Sequence, residues 1–248
     1  MQTPANVKAL ATDHPPESEV SAQFQRDGHR LLRRVALKEE MAAYRPVVLE
    51  AREEYGAEAT SIGQRDTYGK AFRNGLNLRR EEEGLQRCVG ARRFATLAAD
   101  LPGVDGVRVY HDRALFKEAS GELTLEVGSR PCVSVSHRTG CLGDLPISDE
   151  REARFEQFIH VREYTKIPRA AMAAGDATFH YGWTLHGARG NVSDRTREVM
   201  TIIWYPDGSR VGPLDNENCR RDRDRWLPGL EPGDLAASEL NLLVFQRP

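Results

Sequence analysis

The hydrophobic period of this chain changes near residue 104, and that change limits what it can fold into. Before it, Met41, Tyr44, Val48, Ala51 and Tyr55 recur at spacings of three and four, Tyr68, Phe72, Leu76 and Leu78 give a second apolar stripe, and Leu85, Val89, Phe94, Leu97 and Ala98 give a third. This predicts a helix over 39–55, with Pro46 as a kink or a fresh start, and mostly helix over 66–101, stopped by Leu101-Pro102-Gly103. After it, apolar and polar residues alternate. Val104, Val107, Val109, Leu115 and Phe116 form one β-rich run; Leu123, Leu125 and Val127 form another, and Val133 and Val135 continue the pattern. Ala174–His186 reads as strand then turn. Glu198–Tyr205, EVMTIIWY, reads as a buried β-branched strand. Shorter signals are a polar amphipathic stretch at 21–28, a strand at 29–35, a loop at 139–149 and a helix at 150–160. The last forty residues are rich in Pro, Gly and charge, with Trp226 and Leu242–Phe245 as packing points. Helices first and strands later predict an α+β chain, or a β-barrel with helical flanks.

Composition narrows the function classes. The chain has 248 residues, with 35 Lys+Arg against 37 Asp+Glu and a net charge of −2. That balance argues against a nucleic-acid protein held by bulk positive charge. No apolar run approaches the roughly 20 residues that cross a bilayer, and residues 1–20 lack the apolar core of a secretory signal. Cys88, Cys132, Cys141 and Cys219 have no CxxC spacing, so free thiols in a reducing cytoplasm are expected. Residues 1–20, with Pro4, Pro15, Pro16 and His14, read as a mobile leader. One domain is expected over 21–248, helical to about 103 and β-rich from about 104.

The stretch 174–204, AGDATFHYGWTLHGARGNVSDRTREVMTIIW, carries the chemistry. His180 and His186 are six apart, which puts both on one face of an extended strand. Gly187 and Gly190 allow close backbone approach to a ligand. Arg197 leads the next strand and can meet His186 across a hairpin. An imidazole and a guanidinium facing one cavity suit a metal ion and an anionic carboxylate. The plain alternative is a structural histidine beside a glycine-rich turn.

These residues resemble the phytanoyl-CoA dioxygenase family of non-haem iron(II), 2-oxoglutarate-dependent oxygenases. The resemblance rests on Ala174-Gly175-Asp176, Trp183-Thr-Leu185-His186-Gly187, Asn191 and Arg197. It extends to Phe24…Asp27-Gly28, Tyr68-Gly-Lys-Ala-Phe72…Asn77-Leu78 and the run Val107–Glu118. Ser136-His137-Arg-Thr-Gly…Leu142–Asp149 and Trp226-Leu-Pro-Gly…Pro232–Ser238 complete it. It implies a mainly β fold with flanking helices, a double-stranded β-helix or cupin-like jelly roll. It implies Fe(II) held by two His and one carboxylate, with 2-oxoglutarate as cosubstrate. His186 falls on the distal iron ligand, Arg197 on the residue pairing with the far carboxylate of 2-oxoglutarate, and Arg113 on a position lining the cosubstrate site. The activity implied is hydroxylation of a small organic substrate.

The sequence departs from the family in one respect. A His-x-Asp or His-x-Glu motif should lie between Lys117-Glu118 and Ser136-His137, and residues 119–135 contain no His. Two strands and their connections need roughly 20–30 residues, so the central strand pair is expected to be incomplete. Glu122, Glu126, His111 and His180 are the candidate substitutes. His111 and Asp112 are adjacent, so only one of them faces the cavity, and His137 falls on a family position that is not a ligand. The alternative function is therefore a catalytically inactive relative or deletion variant that serves as a binding protein.

Overall fold

The computed structural model describes residues 10, 16–55, 73–117, 132–140, 149–167, 171–186, 191 and 193–248. The expected apolar positions Tyr68 and Phe72, the strand at 123–127, the candidate donors Glu122 and Glu126, and Cys141, Gly187 and Gly190 lie outside them. Helix α1 (Ser18–Asp27) leads into strand β1 (His29–Leu32) and the long helix α2 (Lys38–Tyr55). Strand β2 (Arg73–Leu76), a 3-10 turn at Leu78–Arg80, and helices α3 (Glu83–Val89) and α4 (Arg92–Asp100) follow. Then come β3 (Gly106–Lys117), β4 (Cys132–Val133), helix α5 (Asp149–Val161), β5 (Lys166–Ile167), β6 (Ala177–His180), β7 (Arg197–Pro206), helix α6 (Glu217–Trp226) and β8 (Leu243–Gln246).

Pro46 sits inside α2, and the helix runs through it from Lys38 to Tyr55. The expectation of mostly helix over 66–101 is corrected at Arg73–Leu76, which forms β2 on the edge of β3. Leu76 follows Phe72 at a helical spacing in the sequence, but Asn77 takes a left-handed φ of 53° and turns the chain. The charged tail holds a helix that the period did not show. Asn216 caps α6 by accepting a bond from the Cys219 N–H at 2.9 Å. The leader is not wholly loose: Leu10 is buried with Ala36, Tyr44, Cys88 and Ala91, and α1 starts at Ser18.

Strand β3 is the centre of the larger sheet. It pairs antiparallel with β2, with β7 over nearly its whole length, and with β8 near its start. One face packs on the helices. Ala114 and Phe116 meet Ala51 of α2 with Leu78 and Leu85, and Val107 meets Ala95 and Ala99 of α4 with Phe245 of β8. Two smaller sheets pair β1 with β6 and β4 with β5. The described strands form open sheets rather than a closed barrel.

Two buried ion pairs fix the helical layer, one to the sheet and one between α2 and α4. Arg79 meets Asp112 at 2.8 Å, with side-chain exposures of 3% and 0%. Arg79 also donates to Asn77 Oδ1 and to the Leu240 carbonyl, so its fork is used on three sides. Arg93 meets Glu40 at 2.9 Å and donates to the Val35 carbonyl, while Glu40 also accepts from the Leu37 N–H. The C-terminal segment is stitched to β3 by Asn241, whose amide donates to the Val109 carbonyl while its own carbonyl accepts from Arg108.

A buried pair is costly to break because the surviving charge has no water. Asp112→Ala is expected to lower unfolding stability by about 3–5 kcal/mol, read as a fall in the urea midpoint. The double change Arg79→Met/Asp112→Leu should recover most of the loss; equal losses in both variants would show that the pair is not what ties these elements.

Candidate functional site

The Ala-Gly-Asp turn before β6 is a structural knot. Asp176 accepts from the Arg34 N–H at 2.9 Å, the Ala173 N–H at 2.8 Å and the Arg33 guanidinium at 2.7 Å. These bonds favour the ionised carboxylate and pull its pKa down to about 2. Gly175 has φ +95°, and its carbonyl accepts from the Ala36 N–H; a Cβ there would stand 2.0 Å from the Ala36 carbonyl oxygen. The turn thus joins β6 to the chain between β1 and α2.

Strand β6 then pairs with β1, with His29 opposite His180. Tyr181 donates its N–H, and Thr184 its hydroxyl, to the Gly28 carbonyl. Leu185 is held on both sides, its carbonyl by the Val133 N–H and its N–H by Ser136 Oγ. This double anchorage fixes the backbone just before His186. The His186 Nδ1 lies 2.7 Å from the Thr184 carbonyl. A carbonyl only accepts, so Nδ1 carries the proton and Nε2 presents its lone pair. That is the tautomer a metal-binding imidazole needs. The rings of His186 and His180 are 4.0 Å apart between centroids.

The second half of the site is the sheet face turned away from the helices. Register partners in an antiparallel ladder share a face. Lys117 opposes Arg197, Leu115 opposes Val199, Arg113 opposes Thr201, and His111 opposes Ile203. Lys117 is only 1% exposed, whereas Val199 and Ile203 are 44% and 43% exposed. The face therefore has a basic end at Lys117 and Arg197 and an uncovered apolar stretch beyond it. Arg113 is on the same face, four ladder positions from Arg197, roughly 13 Å along the strand. Asn191 binds this end to the His186 loop. Its amide donates to the Lys117 carbonyl at 2.9 Å and to the Arg195 carbonyl at 2.6 Å. Asn191 is five positions after His186, so the imidazole's backbone lies within about 17 Å of Asn191.

His111 and Asp112 do point to opposite sides: Asp112 pairs with Arg79 in the helical layer, and His111 stacks on Trp226 at 4.7 Å. His111 is not brought to His186. Burial, with Arg113, Arg79 and Arg225 adding positive charge, pushes its pKa down to about 4. His137 stacks on Tyr181 at 5.1 Å against Gly28, whose φ is +82°, and is a packing residue. Lys117 is the site residue that the sequence reading did not single out; only the ladder register sets it beside Arg197.

A facial-triad iron site needs three protein donors. Among the described residues no three His, Cys, Asp or Glu side chains are arranged to hold a metal ion. His186 and His180 offer two imidazoles, so these residues meet the requirement only in part. Cys88, Cys132 and Cys219 are free thiols, and burial pushes the Cys88 thiol up to about 12, which makes it a poor metal ligand. No helix among the described residues is long and apolar enough to cross a membrane.

Residues 134–199 match the family model for phytanoyl-CoA dioxygenase, a stretch that contains both His186 and Arg197. No curated protein matches the sequence. The structure is similar to SnoK, a non-heme alpha ketoglutarate dependent carbocyclase from nogalamycin biosynthesis. The two share 19% identity at a TM-score of 0.67, over 94% of this chain and 99% of that one. It is similar to the epimerase SnoN in complex with Fe3+, alpha ketoglutarate and nogalamycin RO, at 20% identity and a TM-score of 0.66, over 91% of this chain and 97% of that one. It is also similar to EctD from S. alaskensis with 2-oxoglutarate and 5-hydroxyectoine, at 17% identity and a TM-score of 0.59, over 94% and 92%. The fold is thus the mainly β, jelly-roll type with helical flanks. The family match is confined to residues 134–199, and the structural likenesses show the fold.

The depressed His111 pKa has a consequence for stability. The unfolded chain binds this proton near pH 6.5, whereas the folded chain binds it only near pH 4. The His111 contribution is therefore complete above about pH 6.5 and is lost as pH falls towards 4. His111→Gln should flatten the stability-against-pH curve in that window, measured by denaturant midpoints; an unchanged slope would refute the assignment.

Proposed function

We propose that this chain is an Fe(II)/2-oxoglutarate oxygenase-like protein that binds 2-oxoglutarate at the basic end of the β3–β7 face and takes a small organic molecule as substrate. The observation that carries this reading is the placement of Arg197 beside buried Lys117 on one sheet face, within the stretch that matches the family model. A guanidinium fork pairs with a carboxylate through two parallel bonds, and a neighbouring ammonium adds charge suited to a dicarboxylate. Arg197 would take the far carboxylate of 2-oxoglutarate, and the Asn191 clamp would hold the loop from His186 against that same end. Similar structures have been solved with iron and 2-oxoglutarate, which supports Fe(II) and 2-oxoglutarate as the cofactors. In that assignment His186 would present Nε2 to the iron. Arg113 lies farther along the face, where it would meet the near end of the cosubstrate or the substrate.

The substrate would lie over Val199 and Ile203. Their exposure on a face that a jelly roll turns inward points to a partly apolar molecule. A second reading, a carboxylate-binding relative without oxygenase turnover, is favoured by the incomplete donor set among the described residues.

The test is binding of 2-oxoglutarate by calorimetry, in chelator and with Mn(II) added. Arg197→Ala should weaken binding by tenfold or more, the range of a lost charged hydrogen bond at roughly 1.5–3 kcal/mol, and Arg197→Lys should recover only part of it. Equal affinity in wild type and Arg197→Ala would refute the reading. Succinate formation from wild-type protein with Fe(II) and oxygen would separate the oxygenase from the binding protein.

A further inference from the structure

Strand β7 ends the larger sheet. Among the described residues its backbone pairs with β3 alone, while β2 and β8 take the other edge of β3. Most of β3 is buried, yet none of the ten residues of β7 is. Phe179 of β6 stacks on Trp204 near one end of β7, and Val199 and Ile203 remain 44% and 43% exposed. Residues 199–205, VMTIIWY, hold no charge, no Pro and no Gly. A long, regular, β-branched edge of this kind is a template for another strand.

We propose that a second copy of this chain pairs its β7 antiparallel with this edge, about a two-fold axis at Thr201. The strand is self-complementary about that point. Partners in an antiparallel ladder share a face, and a two-fold contact sets residue i against j and j against i. Val199 and Ile203 lie two positions on either side of Thr201. The axis at Thr201 therefore sets Val199 of each copy against Ile203 of the other, and both lose their exposure to water. An axis at Met200 would set Ile203 against Arg197, and one at Ile202 would set Val199 against Tyr205. With the axis at Thr201, Met200 meets Ile202 on the helical face, Arg197 meets Tyr205 and Glu198 meets Trp204, so no like charges oppose each other.

The contact uses the strand edge, so the face assigned above to the substrate stays open and runs on across both copies. Tyr205 of the second copy then stands at the Arg197 end of that face. About nine paired positions span roughly 30 Å. A contact this narrow lies at the small end of stable interfaces, so a dissociation constant on the order of 10 μM is expected.

The experiment is sedimentation velocity of the full chain over roughly a hundredfold range of concentration around that value. A monomer–dimer equilibrium is expected, and Ile203→Lys, which puts a charge on the edge, should weaken it tenfold or more. Cysteine pairing reads the register. Facing Cα atoms in the ladder are about 4.5–5.5 Å apart, within disulfide reach. Thr201→Cys should give a covalent dimer joined at residue 201 on mild oxidation. Val199→Cys and Ile203→Cys should each stay unlinked at those positions alone and join 199 to 203 when mixed. Wild-type protein supplies a readout that needs no variant: amide exchange within 199–203 should slow as concentration rises. A monomer at every concentration, an unchanged dimer in Ile203→Lys, or a dimer without the 199–203 link would each overturn the proposal. Full protection of these amides in dilute monomer would place a segment of the same chain on the edge and overturn it as well.

Discussion

The Arg79–Asp112 pair sets the register on which the site depends. Asp112 has no exposure and finds its counter-charge only on the helical side of β3. Side chains alternate along a strand, so placing Asp112 there turns His111, Arg113, Leu115 and Lys117 to the opposite face. A slip of one residue would bury Lys117 and Arg113 among Ala51, Leu78 and Leu85 and leave Asp112 unpaired. The irregularity between Val109 and His111 lies on the far side of Asp112 from Lys117, so the ladder is continuous from His111 to the basic end. One buried carboxylate therefore decides which residues a ligand meets, although it is not itself in the site.

The motif residues divide by the same logic. Gly175, Asp176 and Asn191 stand in the stretch that resembles an oxygenase signature, yet each acts on backbone. Asp176 gathers two N–H groups and a guanidinium, Gly175 lets the Ala36 segment approach, and Asn191 ties the end of β3 to the loop before β7. They hold His186 and Arg197 in place from opposite sides. A motif match over this stretch is therefore in large part a match of scaffolding.

Much of this was legible in the sequence. The change of period near residue 104 foretold helices before strands, and EVMTIIWY foretold β7. The six-residue spacing pointed to one face of an extended strand, but β6 ends at His180, and the turn closed by the Thr184 N–H on the Tyr181 carbonyl is what brings the two rings together. What was hidden had physical reasons. Residues 73–76 read as helix because Tyr68, Phe72 and Leu76 are four apart, and the turn at Asn77 has no periodic signature. Helix α6 is charged almost all round and buries only Trp226, so its one local signal was the Asn216 cap. Lys117 ends a strand and has no neighbour in sequence to mark it. Its meeting with Arg197 is a fact of pairing across eighty residues of chain.

The two halves of the site are built on different elements, and this bears on what the chain retains. The anion end belongs to the large sheet, whose register is enforced by the Arg79–Asp112 pair and by packing against α2. The imidazole end belongs to the small β1–β6 sheet, held by the Gly28 and Leu185 bonds. Among the described residues, Asn191 on the Lys117 carbonyl and the stacking of Phe179 on Trp204 link the two ends. Val133, which lies within 119–135, donates to the Leu185 carbonyl, so a change in that stretch reaches the His186 anchorage while the β3–β7 ladder keeps its own register. The Lys117–Arg197 pairing therefore depends on the large sheet, and the position of His186 depends on the segment that carries Val133.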